Sequence, residues 1–426
     1  MIAMIPHTHH AMRSRILALS LALVTAPAVA QRSAPPVHPL GPVFRVSAPG
    51  LVSTVAAVRT LPGGRLLVND LVGRRIVLFD STLASATTVV DSSGSTGTMF
   101  GARVAGLIPF RGDSTLFVEP SSLSMLVIDP VGKVARVMAA PRPQDIIYLI
   151  GGPFGTPVFD SAGHLIYRGA TRMTPPAMTG GTQTMTQPDS APIVRVDLAT
   201  RKLDTVAFYR ILQTTVRLTQ GDNGTMSMST KINPLQVLDD WAAFPDGTVA
   251  IVRGRDFHVD FIAPDGTHTS AAKIPFDWER LSDSAKAHVV DSTRAVVDST
   301  MARMRERLKG TSGTAQGATS RSAPARGAPT PPLPNVDIVS PEELPDYRPA
   351  FVSGAVRADA DGKLWIRTST YVNGGPVYDV VNRKGELTDR VSVPRSRVIA
   401  GFGPNGIVYM AVLDGKSARI EEARVR

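Results

Sequence analysis

The chain reads as an all-β fold, a six-bladed β-propeller of four-stranded antiparallel blades. Three observations predict it. A turn-plus-strand pattern recurs six times, at Leu61–Asn69, Phe110–Glu119, Phe159–Arg168, Phe244–Arg253, Ala358–Arg367 and Gly403–Ala411. Each copy joins two apolar runs through Gly-Gly, Gly-Asp, Ala-Gly, Asp-Gly or Asn-Gly, a hairpin signal. Equivalent turn residues Gly64, Asp113 and Gly163 lie 49 and 50 residues apart, and Gly362 and Gly406 lie 44 apart. A repeat of that length is one unit that cannot bury its own face and must stack on copies of itself.

The further strands of each unit follow in order. A third strand is legible in Arg75–Asp80, Ser124–Asp129, Pro192–Asp197, His258–Ala263 and Val377–Asn382. An outer strand follows in Lys133–Met138 and Leu387–Ser392. Four antiparallel strands make a propeller blade. The sixth unit runs into the C-terminus without an outer strand. The N-terminal stretch Pro42–Ala48 is expected to supply it and close the ring.

Before the blades, Arg13 and Arg15 precede the apolar run Ile16–Val24, and Ala28-Val-Ala30 is a small-residue cleavage site. Residues 1–30 are expected to be a signal peptide cut after Ala30, placing the protein in the periplasm or outside the cell. Residues 31–42 are a Pro-rich linker and 43–426 the propeller. No run is long enough for a transmembrane helix. The 426 residues include no Cys, so neither disulfides nor a lipoprotein anchor is available. The net charge is +10, with many Arg near 303–326, but no nucleic-acid motif accompanies it, and no nucleic-acid partner is expected.

Two long gaps carry insertions. Residues 171–190 lack a period and read as a loop. Residues 213–232 alternate around Gly221–Gly224 and read as a hairpin. Between blades 4 and 5, over 279–345, a helix is expected at about 279–309, capped by Ser282 or Asp283, with a disordered tether over about 310–335. All three connections leave on one face, as a lid over the ring or as a brace for it.

The second strands end in one column: Asn69, Glu119, Arg168, Arg253, Arg367 and Ala411. At equal positions in like units, three arginines line one channel mouth. They are either neutralised there by acids such as Glu119, Asp239 and Asp240, or hold an anion with their planar forks. The densest group is Asp239-Asp240-Trp241 with Arg253–Asp260. His258 with Asp256 or Asp239 is an acid–base pair, or simply the start of a strand. Trp241 is a stacking platform for a ring, or a core wedge between blades. Nucleophile elbows, phosphate loops and zinc helices are absent, and Asp359–Gly362 reads as a blade turn rather than a calcium loop.

Leu61–Asp80 is similar to an NHL repeat, with Asn69-Asp70 where that family has an Ala-Asp or Asn-Asp pair. Over 43–426 the units resemble the NHL and SMP-30-like (TolB-like) group of propellers. The run Asp239–Ile262 with its helical insertion resembles uncharacterised exported bacterial members. The resemblance implies the fold and an exported location. SMP-30-type lactonases hold a divalent cation in the channel, with an acidic residue from the first blade. Here that unit opens Val43–Ser47 without Glu, only Asn69 and Asp239 remain as ligands, and three arginines oppose a cation. The expectation is a non-catalytic binding protein without metal or cofactor. Its partner would be an anionic small molecule, a glycan or a protein, bound by Arg168, Arg253, Arg367, Glu119, Asn69, Asp239, Asp240, Trp241 and His258. A metal-dependent lactonase-like hydrolase or lyase is the alternative.

Overall fold

The computed structural model describes residues 34–93, 100, 106–171, 177–179, 182–220, 226–312 and 335–425. The leader at 1–30 and most of the tether at 310–335 lie outside them; residues 310–312 belong to a helix and Asn335 opens a strand.

The described chain is mostly β, and its strands form seven sheets. Six follow the repeat. The first sheet is Ala57–Thr60, Leu66–Asp70, Arg75–Phe79 and Ala86–Val90. The second is Leu107–Pro109, Thr115–Glu119, Ser124–Ile128 and Val134–Ala139. The third is Val158–Phe159, His164–Arg168, Ser190–Asp197 and Leu203–Arg210. The fourth is Asp240–Ala243, Val249–Arg253, His258–Ile262 and His268–Ser270. The fifth is Phe351–Ala358, Leu364–Val372, Gly375–Val381 and Leu387–Ser392. The sixth is Arg397–Gly403, Ile407–Asp414 and Ser417–Arg424, completed by Val43–Val46.

The Asp-Gly turns form because only a left-handed residue closes them cheaply: Gly247 has φ +86° and Gly362 φ +81°. At Asp359–Gly362 the Asp359 carboxylate accepts the backbone N–H of Asp361 and Lys363 and the indole N–H of Trp365. It serves the turn, as expected.

Alternation along each strand sends side chains to both faces, and each face packs on a neighbouring sheet. Leu67 and Ile76 of the first sheet meet Phe117 and Leu126 of the second. Leu116 and Val118 meet Leu165 and Tyr167 of the third. Ile166 and Ile193 meet Trp241 and Ile251 of the fourth. Val252 and Val259 meet Leu364 and Ile366 of the fifth. Trp365 and Val380 meet Val408 and Met410 of the sixth. Tyr409 and Ile420 return to Leu66 and Val77 of the first. The series of apolar contacts is cyclic.

The sixth sheet takes its outer strand from the N-terminal side, as expected. Val43 and Val46 pair with Ala423 and Glu421. The Pro-rich stretch before it is extended but docked. His38–Pro39 lies parallel to Val391–Ser392 on the edge of the fifth sheet, where a proline costs no ladder bond.

The insertions build the seventh sheet, in the order Ala177–Thr179, Thr182–Thr186, Thr215–Gln220, Met226–Ile232 and Asn335–Ile338. The hairpin expected over 213–232 is present. Residues 171–190, expected to be a loop, contain two strands instead. Their Thr-Gln-Thr-Met-Thr sequence shows no apolar period, and their partner at 215–220 is distant in sequence. The helix α1 (Asp283–Ser312) is capped by Ser282, whose Oγ accepts the Ala285 N–H at 3.2 Å. Val290 packs with Val339 and Leu344 in a small separate cluster. Lys286 binds Asp346 at 2.8 Å.

Candidate functional site

The members of the column of second-strand ends differ in register, and so in the gap they face. The first two strands pair Thr60 with Leu66, Pro109 with Thr115, Phe159 with Leu165, Ala243 with Val249 and Ala358 with Leu364. Counted from those pairs, Asn69, Arg168 and Arg367 are fourth residues, whereas Glu119 and Arg253 are fifth. One residue of offset turns a side chain to the opposite face of its sheet. Arg168 therefore shares the face of Ile166, toward the fourth sheet, and Arg253 the face of Ile251, toward the third. Arg367 shares the face of Trp365, toward the sixth. Asn69 and Glu119 lie on the faces of Leu67 and Phe117, in the gap between the first and second sheets. Arg168 and Arg253 therefore face one gap, Arg367 another, and Asn69 and Glu119 a third.

Within the third gap, Arg253 is paired with carboxylates, whereas the buried Arg168 Nε has no hydrogen-bond partner. Arg253 Nε donates to Asp260 Oδ2 at 2.6 Å and Nη1 to Asp239 Oδ2 at 2.8 Å. Asp239 also accepts the backbone N–H of Gly254 and Arg210. His258 stands between Asp256 at 2.9 Å and Asp260 at 3.2 Å. Burial works against the Asp260 anion, but the Ser270 hydroxyl and Arg253 outweigh it and hold that carboxyl below its usual range. His258 thus pairs with Asp256, as one reading had it, and not with Asp239. Both ring nitrogens face carboxylates, so the group clamps the strand ends together.

Trp241 is 0% exposed and is the core wedge, out of reach of any ligand. Its indole N–H donates to the Phe154 carbonyl at 3.0 Å. Phe154 and Tyr148, from the connection between the second and third sheets, cover the Arg168 guanidinium at 5.0 and 4.6 Å. The same connection reaches the fifth sheet, where Ser353 Oγ donates to the Pro153 carbonyl at 2.8 Å. Gly354 is required there: with φ +77°, its Cβ would lie 3.1 Å from the Gly152 carbonyl oxygen. Asp240 is buried next to Trp241 and accepts the Trp241 N–H at 2.9 Å and the Val356 N–H at 3.0 Å. Burial pushes its carboxyl up to about 7, against the pull of those N–H donors. Of the three arginines, Arg367 alone is exposed.

Two cavities lie beside the insertions. One cavity of about 380 Å³ is lined by Asp189, Arg210, Gln213, Asn233, Gln236 and Glu343. A second, of about 540 Å³, is lined by Phe276, Asp277, Glu279, Arg348 and Tyr371, with Ser369 and Thr370. Sequence reading missed both sets. The run Phe276-Asp-Trp-Glu279 alternates aromatic and acidic residues in a non-repeating stretch, which was the available signal. Among the described residues no group of three or more His, Cys, Asp or Glu is placed to hold a metal ion, and no helix is long and apolar enough to cross a membrane.

No family model matches the chain, and no curated protein matches it. Among solved structures, it is similar to a virginiamycin B lyase from Staphylococcus aureus, at 12% identity and TM-score 0.40, over 89% of this chain and 99% of that one. It is similar to the calcium-binding protein regucalcin from Agrobacterium tumefaciens, at 11% identity and TM-score 0.35, over 92% of this chain and 98% of that one. It is also similar to a gluconolactonase from Xanthomonas campestris, at 13% identity and TM-score 0.25, over 57% of this chain and 91% of that one.

Proposed function

We propose that the protein is an exported six-bladed β-propeller that binds a small molecule, glycan or peptide end on the rim carrying its insertions, without chemistry of its own. The cyclic series of contacts among six repeated sheets supports the ring. The Arg13–Ala30 leader pattern supports export. One observation carries the binding reading. Three insertions, leaving from separate connections on the same side of the sheets, pair with one another into a single sheet. Chain is invested there rather than at the arginine column, where Arg253 already holds two carboxylates and Arg168 lies under two rings. A rigid scaffold presenting built loops is the usual setting for recognition.

Two experiments test this. Fractionation of expressing cells with N-terminal sequencing should find the chain outside the cytoplasm and beginning at Gln31. A thermal-shift screen with dicarboxylates, oligosaccharides and short peptides should raise the melting midpoint for one class, since a ligand bound only by the native state stabilises it. Turnover of a sugar lactone in the presence of calcium or zinc would overturn the non-catalytic reading.

A further inference from the structure

The geometry points to a pyranose-binding subsite in the cavity between the neck of the helical insertion and the Leu364–Val372/Gly375–Val381 hairpin, taking a neutral sugar ring of a glycan. This rests on the binding reading above and names its ligand class. The cavity, about 540 Å³, falls within the roughly 300–1,000 Å³ range of small-molecule sites.

Its aromatic side is built from the core outward. Phe257, fully buried, meets Phe276 edge to face at 5.3 Å, and Phe276 meets Trp278 in the same way at 5.3 Å. Phe276 is the ring that lines the cavity, and Trp278, 39% exposed, packs against it. Across the cavity Tyr371 is 58% exposed, on a strand extended past its neighbour to a tight Asn373-Gly374 turn. One ring anchored in the core and one exposed ring thus line the same polar cavity, the mixed lining that suits recognition of a small ring. The C–H face of a pyranose is the flat, weakly apolar surface that such rings accept.

The remaining lining suits the hydroxyls of the sugar. Arg348 Nε donates to Glu279 Oε2 at 2.5 Å, and the Arg348 N–H donates to the Glu279 carbonyl at 2.9 Å, so the two segments of the neck are clipped together. Both groups keep donor or acceptor positions beyond that pair. Asp277, Ser369 and Thr370 add a carboxylate and two hydroxyls. The charged lining groups Asp277, Glu279 and Arg348 sum to one negative charge, which disfavours uronates and other anions.

The chain contains three tryptophans, and Trp241 and Trp365 are buried, so ligand-dependent fluorescence reports on Trp278, which packs against the lining ring Phe276. The purified full chain would be titrated with cellohexaose, maltohexaose and chitohexaose, with hexagalacturonate as the acidic control. One neutral hexaose is expected to shift the emission and protect it from acrylamide, and the uronate to do neither. Tyr371→Ala should weaken binding about tenfold, the loss of one stacking contact, at an unchanged melting midpoint. Tyr371→Phe should retain most of the affinity. Binding of a neutral hexaose that Tyr371→Ala leaves intact overturns the subsite but not the binding function. So does a screen in which only peptides or dicarboxylates bind. Hydrolysis of the bound hexaose would instead keep the subsite and overturn the non-catalytic reading.

Discussion

Arg45 Nε donates to Glu422 Oε2 at 2.8 Å and Arg45 Nη2 to Glu422 Oε1 at 2.7 Å, across 377 positions of sequence. This pair joins the N-terminal strand Val43–Val46 to the C-terminal strand Ser417–Arg424. The Glu422 side chain is 0% exposed, so its anion depends on Arg45. Arg45→Ala should cost about 3–5 kcal/mol, the usual result of stranding a buried charge. Arg45→Met combined with Glu422→Leu should recover most of the loss. Urea midpoints of the three proteins check both statements.

Asp240 gives a pH signature. Its folded carboxyl is pushed up to about 7 by burial, above the unfolded value of 3.8. Its contribution to stability is therefore complete below the unfolded value and is lost as pH rises through about 7. Asp240→Asn does not titrate. The stability difference between wild type and Asp240→Asn should shift toward the variant between pH 5 and pH 8, measured by urea denaturation across that range.

Asp260 has the opposite sign. Despite burial, Ser270 and Arg253 hold its carboxyl low, so its contribution is present above the unfolded value and is lost as pH falls through the folded one. Arg253→Met leaves Asp239 and Asp260 without their shared cation. We expect a loss of about 2–4 kcal/mol near neutral pH, shrinking as acid protonates Asp260. Melting curves at pH 7 and pH 4 compare the two conditions.

Gly155 has φ +85°, and a Cβ there would lie 2.3 Å from Trp241 Nε1. Gly155→Ala must displace either the wedge or the connection that covers Arg168. A loss of about 1–3 kcal/mol is expected from the backbone conformation alone. Near-ultraviolet circular dichroism of Trp241 should change with it.

The insertion should respond as its own unit. Val290, Val339 and Leu344 form a cluster separate from the contacts between the repeated sheets. Val290→Ala should accelerate amide exchange in α1 near Asp283–Val290 while leaving the sheets protected, because cooperative units open independently. Equal acceleration in the Leu66–Asp70 strand would contradict this.

Much of the architecture was legible because it rests on local chemistry. Turns such as Pro245–Gly247 and Ala360–Gly362 announce themselves by glycine, and the runs beside them by alternation. Val43–Val46 could be placed as the closing strand because the sixth repeat lacked one. Thr182–Thr186 escaped notice because its polar residues gain a strand only by pairing with Thr215–Gln220. The cavity residues Phe276, Arg348 and Tyr371 come from three separate segments, and no spacing rule links them.

The arginine column marks the boundary between the two kinds of information. Turn glycines and strand periodicity, which act within a few residues, determined that Arg168, Arg253 and Arg367 end second strands. Which way each side chain faces depends on the register of a strand pair, and one residue reverses it. Only the packed sheets decided that Arg168 lies beneath Tyr148 and Phe154, that Arg253 bridges Asp239 and Asp260, and that the open cavities stand beside the insertions. Burial and partner choice are set by neighbours hundreds of residues away, as Arg45 and Glu422 are, and a local pattern carries no record of them.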